Sequence, residues 1–468
     1  MGAHPDPFRR RASRSNVCPC LGANGSPENH VFEKSTMNSD IFHPDFKPEP
    51  YWWERTPRPV MADVDLPARA DVVIIGSGYT GLCAAIETAR GGRDTLVLDA
   101  EDAGWGCSSR NGGQISTSIK PGFSELSGKF GEGHAEAILA EGHLALTWIG
   151  DFIAAEGIDC DFERVGRFHA AHTPAQFEVL AKTLADQPKG LKVDAHMLSR
   201  AEQHQEIDGD FYYGGIVYNS HASLDPGRYH QGLLERALTA GATIVAHCPA
   251  VNLQRDGDDV LVSTPRGVIR AGDVIVATSG YTGSLTPWAK RRIIPIGSYI
   301  IATEPLAADE AARLIPNNRV VSDTRKLVVY YRLSPDRRRI LFGARVSIKE
   351  TDPRTSAPLL HDALVRRFPQ LSSTRVTHSW MGFVGYTFDK MPHLGKQDGV
   401  HYSMGYCGSG VSLASYFGTR IGQQVLGKPE GRTALDDIAF PSRPYYWGNP
   451  WFLAASVGYY KWLDERGR

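Results

Sequence analysis

The sequence predicts an α/β protein whose parallel sheet opens with a strand–helix–strand unit, followed by antiparallel strands further along the chain. Three observations predict it. Residues 72–75 are a β-branched run that stops at Gly76. Residues 81–90 place Leu82, Ala85, Ile86 and Ala89 on one helical face. Residues 95–98 form a second apolar run. Strand, helix and strand within about 30 residues make a βαβ unit, which is parallel and right-handed.

The elements follow in order. Gly91-Gly92 ends the first helix, as a left-handed cap does. Residues 226–240 read as another helix ending at Gly241, and 243–245 as a strand. Residues 260–262 and 268–270 alternate around a turn at 265–267, and 273–277 read as a separate buried strand before Thr278-Ser279-Gly280. Strands with polar alternation return between Ile293 and Ile348. Residues 405–410 then precede a helix of small residues, 411–426.

Composition narrows the function classes. The 468 residues are 42% apolar and 22% charged, which excludes a disordered chain, a collagen and a small disulfide scaffold. Lysine plus arginine (51) balances aspartate plus glutamate (52), so the chain lacks the basic field that nucleic acid requires. The runs Arg337-Arg338-Arg339 and Arg291-Arg292 read as solvated turns. Seven scattered cysteines without a C-x-x-C argue against zinc, a metal site or a redox dithiol, and favour a reducing cytoplasmic setting. No run of eighteen apolar residues occurs, so no membrane span is expected. The polar head, with Cys18 and Cys20, is expected to be disordered, with Met37 an alternative start. The aromatic end is expected to pack as a strap.

Glycine is in surplus, and its placement is informative. Gly76-Ser77-Gly78-Tyr79-Thr80-Gly81 is a G-x-G-x-x-G between strand and helix. The first glycine permits the turn, the second lets the backbone reach a pyrophosphate, and the third lets the helix close on the strand. The helix N-terminus favours phosphate through its free N–H groups and dipole. Asp99 closes the second strand about twenty residues on, where an acid accepts from ribose hydroxyls. This is a Rossmann-like dinucleotide unit. The loop that follows, Ser108-Ser109-Arg110-Asn111-Gly112-Gly113-Gln114, offers donors suited to a second phosphate and a flavin edge. A second nucleotide fingerprint is absent.

These segments resemble the D-amino-acid-oxidase-like FAD-dependent oxidoreductases. So do Leu224-Asp225-Pro226, Thr278 to Gly280, residues 382–395 and Gly405-Tyr406-Cys407-Gly408-Ser409-Gly410-Val411, and the likeness runs from about Tyr51 to the C-terminus. The motifs look closest to γ-glutamylputrescine oxidases, with L-pipecolate oxidases as near relatives. The resemblance implies a Rossmann-like FAD-binding domain interleaved with an antiparallel-sheet α+β substrate domain. The expected division is a tail at 1–45, an FAD domain from 46–125, 222–285 and 380–440, a substrate domain from 126–221 and 286–379, and the strap at 441–468. Gly405, Gly408, Gly410 and Val411 are expected near the flavin ring, where donors stabilise its reduced form.

Departures from the pattern are informative. Sarcosine oxidases bind flavin through a cysteine where this chain has Gly382, so FAD is expected to be non-covalent. Val384 stands where glycine oxidases carry a carboxylate-clamping arginine, Ser412 where sarcosine oxidases have a lysine, and Leu341 where theirs activates O2. Cys407 and His393 read as packed structural residues. The implied reaction moves hydride from the carbon beside nitrogen to flavin N5, after which the imine hydrolyses and O2 becomes H2O2. The substrate is a small amine or an amino or imino acid. Tyr386, Tyr281 and Arg345 are the candidate catalytic residues. A dehydrogenase feeding a quinone or partner protein is the alternative, and a catalytically silent FAD binder a weaker one.

Overall fold

The computed structural model of the chain describes residues 41–191, 193–347 and 350–467. Cys18, Cys20, Met37 and Ile348 lie outside the described residues.

The βαβ unit forms as its pattern requires. Strand Arg69–Ile75 leads into helix Tyr79–Arg90, and strand Thr95–Leu98 follows beside the first. Gly92 takes the left-handed conformation at the helix end (φ +79°). Around it, Thr243–Val245, Thr95–Leu98, Arg69–Ile75, Gly267–Val276 and Val400–Met404 run parallel in that spatial order. Continuous apolar strands are covered on both faces. Val72 and Ile74 pack against the helices through Leu82, Ile86, Leu233 and Phe417. Val73 and Ile75 pack on the other side with Val260, Val262 and Ile269.

The residues expected as two strands, 268–270 and 273–277, form one ten-residue strand, Gly267–Val276. Its first half pairs antiparallel with Asp259–Thr264 and its second half joins the parallel core. The partner changes while the backbone stays extended, so the break was one of environment and not of chain direction.

The second sheet has nine strands. Its order is Phe42–Lys47, Val376–Tyr386, Ile294–Thr303, Ile340–Ala344, Val329–Leu333, Val320–Asp323, Arg167–Ala170, Gly215–Tyr218 and Ala195–Leu198. One face buries Phe168, Tyr299, Ile301, Tyr331 and Phe342 with Leu360 and Leu364 of helix Pro353–Val365. Side chains alternate across a strand, so Ile300, Tyr330, Arg332, Leu341 and Gly382 take the opposite face. That face meets the glycine loops: Trp380 Nε1 donates to Arg110 O at 2.7 Å, and Arg332 Nη1 to Gly113 O at 3.1 Å.

Two expected boundaries move. The tail does not reach residue 45, because Phe42–Lys47 is an edge strand paired with Val376 and His378. The boundary at 380 falls inside Val376–Tyr386, a single strand of the nine-stranded sheet. A short edge strand carrying His43 and Pro44 is legible only beside the partner that completes it.

Helix Glu132–Glu156, of 25 residues, is the one helix among the described residues long and apolar enough to cross a membrane. Its Ala135, Ile138, Ala145 and Ile149 lie in the main core. The C-terminal segment is tied down by Tyr446, whose hydroxyl donates to Ile293 O at 2.7 Å. It ends in a helix, Leu453–Glu465, whose Asp464 accepts from the N–H groups of Lys326 and Leu327.

Candidate functional site

Gly76 turns the chain with φ +103°, and a Cβ at Gly81 would collide with the Gly76 carbonyl oxygen. Only glycine lets the helix start this close to the strand. Gly78 is the helix N-cap and supplies no side-chain cap. The open N–H of Tyr79 donates instead to Ser108 Oγ at 2.9 Å. A hydroxyl oxygen on the first-turn N–H marks where an anionic oxygen is favoured. Thr80 Oγ1 and Tyr406 OH, 2.7 Å apart, join this turn to the second glycine loop.

There Gly405 (φ +83°) and Gly408 (φ +95°) shape the chain before helix Gly410–Val425, whose N-cap Ser409 also makes no side-chain cap. Val411 is buried in its first turn. Gly418 and Gly422 pack this helix against the backbone of Thr80 and Ala84, so the two helices lie close together. Two helix N-termini whose N-cap residues make no side-chain cap, each entered through a glycine turn, fit a dinucleotide.

Asp99 does more than face outward. Its Oδ2 accepts from Ser77 N at 2.8 Å and Ser77 Oγ at 2.5 Å, bracing the turn. Oδ1 accepts from Glu101 N at 3.1 Å and has a lone pair left for a hydroxyl. His230 Nε2 meets Ser77 O at 2.8 Å, and burial pushes its pKa down to about 4. The folded state therefore holds His230 neutral while the unfolded chain protonates near pH 6.5. Its contribution, on the order of 3 kcal/mol, is complete above pH ~6.5 and is lost as pH falls towards ~4. Urea midpoints at pH 7 and pH 5 check this: His230→Gln, which keeps a donor but cannot titrate, is expected to shrink the difference.

The 108–114 loop is mostly self-braced. Ser109 Oγ donates to Gly104 O (2.6 Å) and accepts from Trp53 Nε1 (2.8 Å). Arg110 Nε donates to Trp105 O (2.6 Å), and its guanidinium lies between the Trp53 and Trp105 rings. Asn111 Nδ2 donates to Cys107 O and Ser108 O, and Asn111 Oδ1 accepts from Gly113 N. Gly112 packs against the Tyr330 ring, Gly113 (φ +65°) against Leu224 O, and Gln114 Nε2 donates to Tyr331 O. Ser108 alone turns its hydroxyl to the helix start.

Thr278 Oγ1 bonds Thr282 Oγ1 at 2.8 Å, and Gly280 lies against Phe383 and Gly385. Tyr281 OH accepts from Phe383 N at 3.3 Å and would lie 3.7 Å from a Cβ at Gly382. Tyr386 OH lies 3.8 Å from a Cβ placed at Gly408, and burial raises both phenol pKa values. Arg345 Nη1 donates to Glu350 Oε1 and Gly297 O, each at 2.8 Å, Glu350 also accepts from Tyr299 OH, and the buried Nε and Nη2 of Arg345 have no partner. His393 pairs with Asp389 at 3.0 Å and stacks on Phe440, a structural arrangement. Cys407 is buried with its thiol pushed up to about 11.

Sequence reasoning missed Tyr330 and Arg332. Tyr330 OH lies 2.9 Å from Ser298 Oγ. Arg332, 5% exposed, donates to the carbonyls of Leu333, Gly113 and Leu224 and ties the sheet to the glycine loop. The alternation Tyr330-Tyr331-Arg332 was the available signal.

Paired glycine loops at two helix N-termini, facing one side of an antiparallel sheet, define an α/β flavin-dinucleotide oxidoreductase. The chain belongs to the DAO family: the pattern described as FAD dependent oxidoreductase matches residues 71–424. It is 30% identical over 402 residues to the gamma-glutamylputrescine oxidoreductase of Escherichia coli (strain K12), covering 85% of this chain and 93% of that protein. It is also 30% identical over 405 residues to the probable oxidoreductase OrdL of Haemophilus influenzae, covering 85% and 92%. The fold matches glycine oxidase from Geobacillus kaustophilus with a TM-score of 0.68 at 18% identity, over 81% of this chain and all of that one. It is an FAD-dependent oxidoreductase of the amine and amino-acid class.

Proposed function

We propose that the chain is an oxidase of the C–N bond in a γ-glutamylputrescine-like amine or a related amino or imino acid, producing H2O2. The observation that carries this reading is the wall opposite the glycine loops. Tyr330 lies against Gly112, Tyr281 beside Gly382 and Tyr386 beside Gly408, and the arginine that acts on Tyr281, Arg110, is held between the Trp53 and Trp105 rings. Such a wall suits a neutral amine, which must lose its proton before its C–H can be transferred. The kinship with gamma-glutamylputrescine oxidoreductase supports the substrate class.

FAD, when bound, supplies the hydride acceptor. The residues that hold it, in this reading, are Gly76 to Gly81 with Ser108 at the pyrophosphate, Asp99 at the ribose, the backbone of 109–114, Thr278 and Gly280, and Gly405 to Val411. Binding is non-covalent: Gly382 has no side chain, and burial pushes the neighbouring Cys107 thiol up to about 11. The chain's own work is to orient the amine between phenols and exclude water. Cys83, Cys107, Cys160, Cys248 and Cys407 are all free, which supports a reducing cytoplasmic setting.

Leu341 favours a second reading, electron delivery to a quinone or partner. It lies in an apolar cluster with Tyr51, Trp52, Ile300 and Trp380. One experiment separates the readings: γ-glutamylputrescine is expected to bleach the flavin under nitrogen, and air to restore it with H2O2. Recovery with a quinone but not with air supports the dehydrogenase. No bleaching by any amine or amino acid overturns both.

A further inference from the structure

A cluster of basic groups occupies the loop-facing side of the nine-stranded sheet, away from the phenol wall. In strand Arg167–Ala170, Phe168 and Ala170 enter the sheet's own core, so Arg167 and His169 take the other face. His169 Nδ1 bonds Ser322 Oγ at 2.9 Å, and Ser322 stands opposite Tyr330 in the sheet register. Arg167 stands opposite Tyr218, on whose ring His221 stacks at 4.7 Å. His221 is 2% exposed; its Nε2 meets Thr117 Oγ1 at 3.3 Å, and its buried Nδ1 has no partner. Three residues past Thr117 comes Lys120, near enough to Arg167 and to Cys407 of the second glycine loop for each to act on it electrostatically.

Two features set this cluster apart from an ordinary ion-pair network. Among the described residues no acid pairs with Lys120 or Arg167, and the Arg167 Nε is buried without a partner. The one buried acid nearby, Asp323, is held by Arg325 and Arg367. The Lys120 side chain is reachable by solvent, yet surrounding protein and the Arg167 cation lower its pKa. Burial likewise pushes Arg167 down to about 10 and His221 well below its usual value. The buried, unpartnered Arg167 Nε and His221 Nδ1 are costly until an acceptor arrives.

We propose that Lys120, Arg167 and His221 form a carboxylate-binding subsite for the end of the substrate remote from the oxidised C–N bond. The subsite rests on the amine-oxidase reading and deepens it. Arg167 offers a guanidinium fork for a carboxylate, and Lys120 a second charge. His169 lies two strand spacings, about 10 Å, from Tyr330 across the sheet. A small α-amino acid keeps its carboxylate within two bonds of the reacting carbon and cannot bridge that span. An amine with a carboxylate roughly eight or more bonds away can, at ~1.3 Å of advance per bond. The subsite therefore selects a long, ω-carboxylated amine, and it replaces the anchors missing at Val384 and Ser412.

The test compares holoenzyme forms on γ-glutamylputrescine and on N-(4-aminobutyryl)putrescine, which lacks only the carboxylate. Arg167→Met and Lys120→Gln are each expected to reduce the preference for the carboxylated substrate by about 10–100-fold in kcat/KM, the worth of a charge-assisted hydrogen bond. The loss should fall in KM and not in kcat, with Arg167→Lys partly restoring it. Glutarate should raise the melting temperature of the wild type more than equimolar phosphate does, and neither variant should respond. An unchanged preference with unchanged glutarate stabilisation overturns the subsite while leaving the oxidase reading intact. Stabilisation by phosphate alone also overturns it, in favour of a phosphate ligand. Failure of either amine to bleach wild-type flavin counts instead against the oxidase reading. Should Arg167→Met fail to fold, Lys120→Gln, on a solvent-reachable side chain, carries the comparison.

Discussion

Gly78→Val is expected to purify folded but with flavin content at least about tenfold below wild type, a loss of ~1.4 kcal/mol or more in binding. Gly78 has φ −73°, so its backbone accepts a side chain without strain. The difficulty lies in the space in front of it. A Cβ there would stand 2.9 Å from Ser108 Oγ, the hydroxyl that occupies the Tyr79 N–H. A branched side chain pushes that hydroxyl aside and fills the place where phosphate must approach the helix start. Gly81→Val provides the contrast. Its Cβ meets the Gly76 carbonyl oxygen, which is backbone and cannot move cheaply, so both folding and flavin are expected to be lost. Flavin absorbance near ~450 nm relative to protein, read with circular dichroism, distinguishes the two. A fully loaded Gly78→Val would contradict the phosphate placement.

Asp225→Ala is expected to cost about 3–5 kcal/mol, because one carboxylate performs two jobs in a water-free place. It is 0% exposed and caps helix Pro226–Thr239, with Oδ1 accepting from Gly227 N at 2.9 Å and Arg228 N at 3.1 Å. Its Oδ2 takes Arg55 Nε at 2.8 Å, and Arg55 also reaches Asp161. Alanine removes the cap, worth about 1 kcal/mol, and strands the partly buried Arg55. The two losses share one group and do not simply add. Melting is expected to fall by about 3–5 °C for a chain of 468 residues. Asp225→Asn keeps a capping oxygen and loses the charge, so it should fall between alanine and wild type. An alanine variant melting within about 1 °C of wild type would remove Asp225 from this account.

Much of the fold was legible because it follows from short-range rules. The 81–90 apolar face, the Gly91-Gly92 stop and the Asp225-Pro226 start each act within a few residues, and each produced its helix. The glycine loops were legible for a related reason: a turn with no room for a side chain must be spelled in glycine. The pieces that were missed depend on distant chain. Phe42–Lys47 is a strand only beside Val376–Tyr386, and Gly267–Val276 is one strand only because it trades a hairpin partner for a parallel one.

The sites divide along the same line. By itself the sequence determined the parallel α/β core, the dinucleotide turn and the family, since periodicity and glycine placement are local and survive without coordinates. Tertiary structure alone decided how individual side chains are used. Ser109, Arg110 and Asn111 brace their own loop, Asp99 steadies Ser77, and Glu350 claims Arg345. It also brought Lys120 and Arg167, 47 positions apart in the chain, within electrostatic reach of one another. The physical reason is that a hydrogen bond or ion pair is fixed by which groups meet and how much water is left around them, and neither is written in the spacing of residues along a chain.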